Sequence, residues 1–188
     1  MAPRADARRN YARILAVADD EVATHGPQAS LEQIARVAGV GSATVRRHFP
    51  TRQALVEAVS RSRVAALSDR ARALAYTHPG AEALVLWLRE VVSYCVDARA
   101  LATALSYESV DDAAGGDSCS AELAQAAGPL LDTAIRDGAV RADVTATDLV
   151  ALAVGAALAT EFHADPAGRA DALLRLSLAG IGPVRPAR

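Results

Sequence analysis

Apolar residues recur along this chain at three- and four-residue spacing, the period of a helix with one buried face, and no segment of useful length alternates as a strand would. Tyr11, Leu15, Ala18 and Val22 form a first stripe, which Gly26 and Pro27 bring to an end. Ser30 then stands where an N-cap is needed, with Gln33 three residues on to complete a capping box. Leu31, Ile34, Ala35 and Ala38 make the next stripe, and Gly39 stops that helix after about two turns. A third short helix, Ser42 to His48, turns Val45 and Phe49 inward, with Val40 helping to lock it down. Pro50 breaks the chain. Thr51 caps a fourth helix that carries Leu55, Val56, Val59, Val64 and Leu67 into the mid-seventies, up to "THPG" at 77–80.

Longer helices follow. Leu84, Trp87, Leu88, Val91 and Cys95 share one face, and a further helix is expected over 100–108. "SVDDAAGGDSCS" (109–120) is small and polar and reads as a loop. A helix over 121–137 ends at Gly138, and Thr145 with Asp148 forms a capping box for the next, at 146–160. From Leu149 to Ala159 that helix is apolar all round, so it requires cover on every side. A last helix, 167–181, carries Leu173, Leu174, Leu176 and Leu178. The expected fold is all-α: a three-helix helix-turn-helix module at 1–50, a linking helix at 51–76, and a helical bundle at 77–188.

Composition changes this picture in two ways. Hydrophobic residues make up 52% of the chain but aromatic ones only 4%, which suits closely packed Ala, Val and Leu helices. The formal charge of −2 conceals a division: residues 1–70 carry 11 Arg against 7 Asp and Glu, and residues 71–188 carry 9 Arg against 15. A basic first part and an acidic remainder point to one face for a polyanion and a body with another task. No lysine occurs, so arginine is not a choice over lysine at any one site. Cys95 and Cys119 lack metal-ligand spacing and are expected as free thiols in a reducing cytoplasm. The first residues contain no apolar signal core, and the 11-residue apolar run is too short to span a bilayer. A cytoplasmic protein without membrane attachment is expected.

The chemistry concentrates in "GVGSATVRRHFPTRQAL", residues 39–55. A short helix, a glycine turn and a second short helix are the parts of a helix-turn-helix, whose second helix enters the DNA major groove. Ser42, Thr44, Arg46 and Arg47 fall on its outward faces. Arginine can pair bidentately with guanine, while serine and threonine reach phosphates or base edges. Arg52 starts the next helix, where it and the free N–H groups suit a phosphate. Arg4, Arg8 and Arg9 are expected as a basic arm ahead of the first helix, and Ser30 joins the candidate DNA-binding residues at the helix start. His48 is open to two readings, a core-edge ring or a phosphate contact.

On these residues the chain resembles the DNA-binding domain of TetR/AcrR-family transcriptional regulators. Their pattern "IA..AGVS..T.Y.HF..K..L" is answered here by "SLEQIARVAGVGSATVRRHFPTRQALVEAV", with Arg46 for the usual tyrosine and Arg52 for the usual lysine. The resemblance implies that Ser42, Thr44, Arg46, Arg47 and His48 occupy recognition-helix positions and Arg52 a phosphate-gripping one. "GPLLDTAIRDGAVRADVTATDLVALAVG" (128–155) is similar to the regulatory domain of an actinobacterial-type subset, which implies a small-molecule effector and dimerisation through the last two long helices.

That implies a homodimer, joined through 146–160 and 167–181, which binds double-stranded operator DNA and is released from it by a ligand. Trp87, Val91, Tyr94, Tyr107 and Phe162 are the candidates for lining a ligand cavity; plain core packing is their alternative. No cofactor, metal or catalytic residue is expected. Two other readings stand beside this one: a helical enzyme holding Mg²⁺ on Asp111, Asp112 and Asp117, and a regulator that answers to a protein partner.

Overall fold

The computed structural model describes residues 3–25, 28–97 and 119–182. The described residues form eight helices and no strand: α1 (Pro3–His25), α2 (Leu31–Ala38), α3 (Ser42–His48), α4 (Arg52–Thr77), α5 (Gly80–Asp97), α6 (Cys119–Arg136), α7 (Ala146–Ala159) and α8 (Pro166–Gly180). They divide into two compact units, Met1–Arg63 and Val64–Arg188, and the division falls within α4. The turn at Gly26–Pro27, the helix expected over 100–108, Tyr107 and all three aspartates of the 109–120 segment lie outside the described residues.

In the first unit the buried stripe of α1 is Ile14, Ala18 and Val22, a strict four-residue repeat. Tyr11 and Leu15, expected on that stripe, sit at its edge: Tyr11 is 38% exposed and Leu15 half-buried. Arg4, Arg8 and Arg9 do not form an arm ahead of α1, because the helix already starts at Pro3. The capping box at Ser30 is also only half as expected. Its hydroxyl accepts the Gln33 N–H at 3.2 Å, but the Ser30 N–H goes to Glu21 Oε1 on α1 at 3.1 Å. Gln33 instead accepts from Arg36. A residue of a neighbouring helix thus supplies half the cap, which ties the α2 start to α1.

Gly39 has φ 62° and ψ 38°, the left-handed region where a side chain costs roughly 1 kcal/mol. Its N–H and that of Val40 return to the Arg36 and Ala35 carbonyls, which closes α2 and redirects the chain into α3. Val45 and Phe49 are buried and anchor α3, whereas Val40 is only half-buried. Thr51 caps α4 through the Ala54 N–H at 3.0 Å.

The second unit has one continuous core drawn from α4 to α8. Leu84, Trp87, Leu88, Val91 and Cys95 of α5 are all buried in it. The capping box of Thr145 and Asp148 on α7 is complete in both directions. The apolar α7 is not covered all round, however. Ala151, Gly155 and Ala159, four residues apart, are exposed, and on α8 Leu174 is buried while Leu176 is 73% exposed. Alanine and glycine carry little apolar area, so leaving them in water costs little.

Candidate DNA-recognition surface

The recognition surface begins with which side of α3 is consumed by packing. Val45 turns inward, leaving Ser42, Ala43, Arg46 and Arg47 exposed and Thr44 and His48 half-buried. His48 meets Tyr11 edge-on with ring centroids 5.5 Å apart, and Tyr11 lies at the same distance from Phe49. The histidine therefore borders an aromatic group that fixes the α3 C-terminus against α1, which is its core-edge reading. Ser30 is spent on capping α2. Arg9 pairs with Asp6 one turn back on α1.

The two adjacent arginines differ. Arg47 has no partner among the described residues. Arg46 reaches across to α2 and pairs with Glu32, with side chains 57% and 62% exposed. The carboxyl of Glu32 is held below its ordinary range, first by its own backbone N–H, then by Arg46, with Arg52 adding a weaker pull. Its share in stability is present above the ordinary carboxylate pKa and is lost as pH falls through the lowered value. Periodicity could not find Glu32 or Glu21. Glu32 is an ordinary acidic residue in a first helical turn and Glu21 an ordinary polar one near a helix end, and their partners Arg46 and Ser30 lie beyond the helices that carry them.

Of the residues singled out for a ligand cavity, Tyr107 lies outside the described residues, Trp87, Val91 and Tyr94 gather at one core, and Phe162 stands apart from them. Trp87 and Val91 belong to the core, and the indole N–H donates to the Leu67 carbonyl at 2.9 Å. Tyr94 is half-buried against that core, while Phe162 is 90% exposed after the end of α7. Burial pushes the Cys95 thiol up to about 12. Among the described residues, no group of three or more His, Cys, Asp and Glu could hold a metal ion, and no helix is long and apolar enough to cross a membrane.

A short, exposed, arginine-bearing helix set by a glycine turn against two others, joined to a separate helical body, defines a helix-turn-helix DNA-binding protein. Comparison with known proteins makes this specific. Residues 14–59 match the model for bacterial regulatory proteins of the tetR family, and residues 79–183 match the C-terminal domain of SbtR-like transcriptional regulators. A TetR transcriptional regulator of Streptomyces coelicolor is 37% identical, with a TM-score of 0.72 over 92% of this chain and 98% of that one. A TetR regulatory protein of Mycobacterium vanbaalenii is 38% identical, with a TM-score of 0.68 over 96% and 99%. The fold also extends to a structure described as a gamma-butyrolactone receptor (ArpA-like protein), 20% identical, with a TM-score of 0.59 over 95% and 90%. No curated protein matches the sequence. The chain belongs to the TetR family of DNA-binding transcriptional regulators. These are not enzymes, which removes the reading built on Asp111, Asp112 and Asp117.

Proposed function

We propose that this protein is a cytoplasmic homodimeric repressor that leaves its operator when a small molecule binds the body. In this reading residues 1–50 bind DNA, 51–76 link, and 77–188 bind the ligand and dimerise. The observation that carries the DNA half is the exposure of Ser42, Arg46 and Arg47 on a helix whose opposite side, Val45, is buried. Arg47 and Arg46 supply base-edge or phosphate contacts, Ser42 and Thr44 shorter ones, and Arg52 grips phosphate beside them. Ser30 and His48 act at one remove, by fixing the helices that carry these groups, and the exposed Arg9 on α1 supplies a further phosphate contact.

One module reads only a few base pairs, so specificity needs two on successive major grooves. The open Ala151–Gly155–Ala159 row on α7 and the exposed Leu176 on α8 support a dimer through these helices. A ligand then acts by favouring a dimer geometry with the wrong spacing, and its differential affinity for the two geometries sets the size of the switch. Helix α4, which belongs to both units, is the connecting lever. The ligand half is supported by the gamma-butyrolactone receptor that shares the fold.

The test is a titration of the full chain against duplex DNA from upstream of its own gene at several salt concentrations. Phosphate contacts predict a steep, log-linear loss of affinity with salt. Failure to bind at low salt would sink the reading. A gamma-butyrolactone added to the preformed complex is the first probe of release. If the complex survives this and a wider panel of small apolar compounds while a protein from the host displaces it, the effector is a protein instead.

A further inference from the structure

The Glu32–Arg46 pair divides two neighbouring arginines on one recognition helix into a tethered and an untethered one. Resting on the DNA-binding reading above, we propose that Glu32 is a positioning residue for sequence selectivity: it holds Arg46 against α2, withholding it from the phosphates of arbitrary DNA, and yields it where a bound sequence offers a better partner.

Three features carry this. First, the pair joins two different helices, α2 and α3, so the pull on Arg46 is lateral and not along its own helix. Second, both side chains are more than half exposed, so exchanging the carboxylate for a guanine edge uncovers no buried charge; exposed pairs are weak enough for DNA to compete. Third, the carboxylate stands in the first turn of α2, where the free N–H groups of the helix start favour its charge, so it does not simply follow the guanidinium to the DNA. Arg47 has no such partner among the described residues and is available to any phosphate. Arg46 must give up a partner first, and a guanine edge met bidentately repays that small cost more fully than a single-point contact with a passing phosphate.

The test compares wild type, Glu32→Gln, Arg46→Ala and the double variant, all full-length. The probes are the upstream-region duplex and a random-sequence duplex of equal length, across a NaCl series. Glu32→Gln should raise affinity for the random duplex about two- to fivefold. It should steepen the salt slope by roughly 0.9, the signature of one more neutralised phosphate, and narrow the preference for the upstream duplex by a similar factor. In the Arg46→Ala background the same substitution should do almost nothing.

An equal effect in both backgrounds means that Glu32 merely repels DNA, and it overturns the proposal. So does a Glu32→Gln variant with wild-type slope and selectivity. Glu32→Asp keeps the charge but shortens the reach; it should behave like Glu32→Gln, and wild-type behaviour again points to plain repulsion. Wild type that binds neither duplex fails the DNA-binding reading itself, whereas wild-type binding with unmoved variants fails only the role of Glu32.

Discussion

In the proposed DNA-binding reading, Arg47 is the residue on which the surface most directly depends, because it is exposed and carries no competing ion pair among the described residues. Arg47→Ala should cost operator binding roughly 1–3 kcal/mol if it reads a base, with selectivity relaxed at one position, as measured by fluorescence anisotropy on a set of single-base operator variants. A uniform loss across all sequences would make it a phosphate contact instead. A second prediction concerns Cys95, whose thiol burial holds neutral to about 12. The folded protein should resist alkylation of this residue at pH 8, where the unfolded chain reacts readily. Because the folded value is raised, the folded state keeps its proton longer than the unfolded one. Stability from this group is therefore intact below the ordinary thiol pKa and falls as pH climbs from about 9 towards 12. Mass-spectrometric labelling at rates equal to those in urea would contradict the burial. Periodicity alone placed Cys95 on the inner face of its helix. The Arg46 tether was not legible, since it depends on a carboxylate fourteen positions earlier meeting it across a turn.

Helix ends and helix faces were the most legible features, because caps, glycines and three- to four-residue spacing act locally. The fourth and fifth helices follow their stripes closely, whereas the seventh, apolar all round in sequence, leaves one row open. The misjudged features sit where a second helix intervenes. Ile14 rather than Tyr11 faces inward on α1, and Glu21 rather than Gln33 completes the cap of α2. The α5 start shows how tightly the elements fit. Gly80 is buried, and a Cβ there would overlap the Thr133 side chain and come within 3.1 Å of the Ala134 backbone nitrogen on α6. Gly80→Ala should therefore destabilise the protein by about 1–3 kcal/mol despite alanine's better helix propensity, as read from denaturant midpoints. A stabilised variant would mean that the two helices can part without loss.

At the scale of the whole molecule, the open faces of α7 and α8 bear on assembly. A Cβ at Gly155 meets nothing within 4 Å in its own chain, and arginine favours a helix more than glycine does. Gly155→Arg should thus leave the protomer folded, with an unchanged or raised Tm. If the proposed interface is right, it converts the dimer to a monomer and lowers operator affinity tenfold or more, because each complex loses one recognition helix. Sedimentation equilibrium and DNA titration of the same sample check this, and an intact dimer would remove α7 from the interface. By itself the sequence determined the all-helical class, the glycine turn and basic outward face of the second short helix, and the charge division that the net −2 conceals. All of these are set by near neighbours in the chain. Only the tertiary structure decided which arginine is tethered, which carboxylate caps which helix, that Trp87 is core, and that Phe162 stands in water. Each of these depends on which residues distant in sequence are brought together, and a repeat of three or four positions carries no information about that.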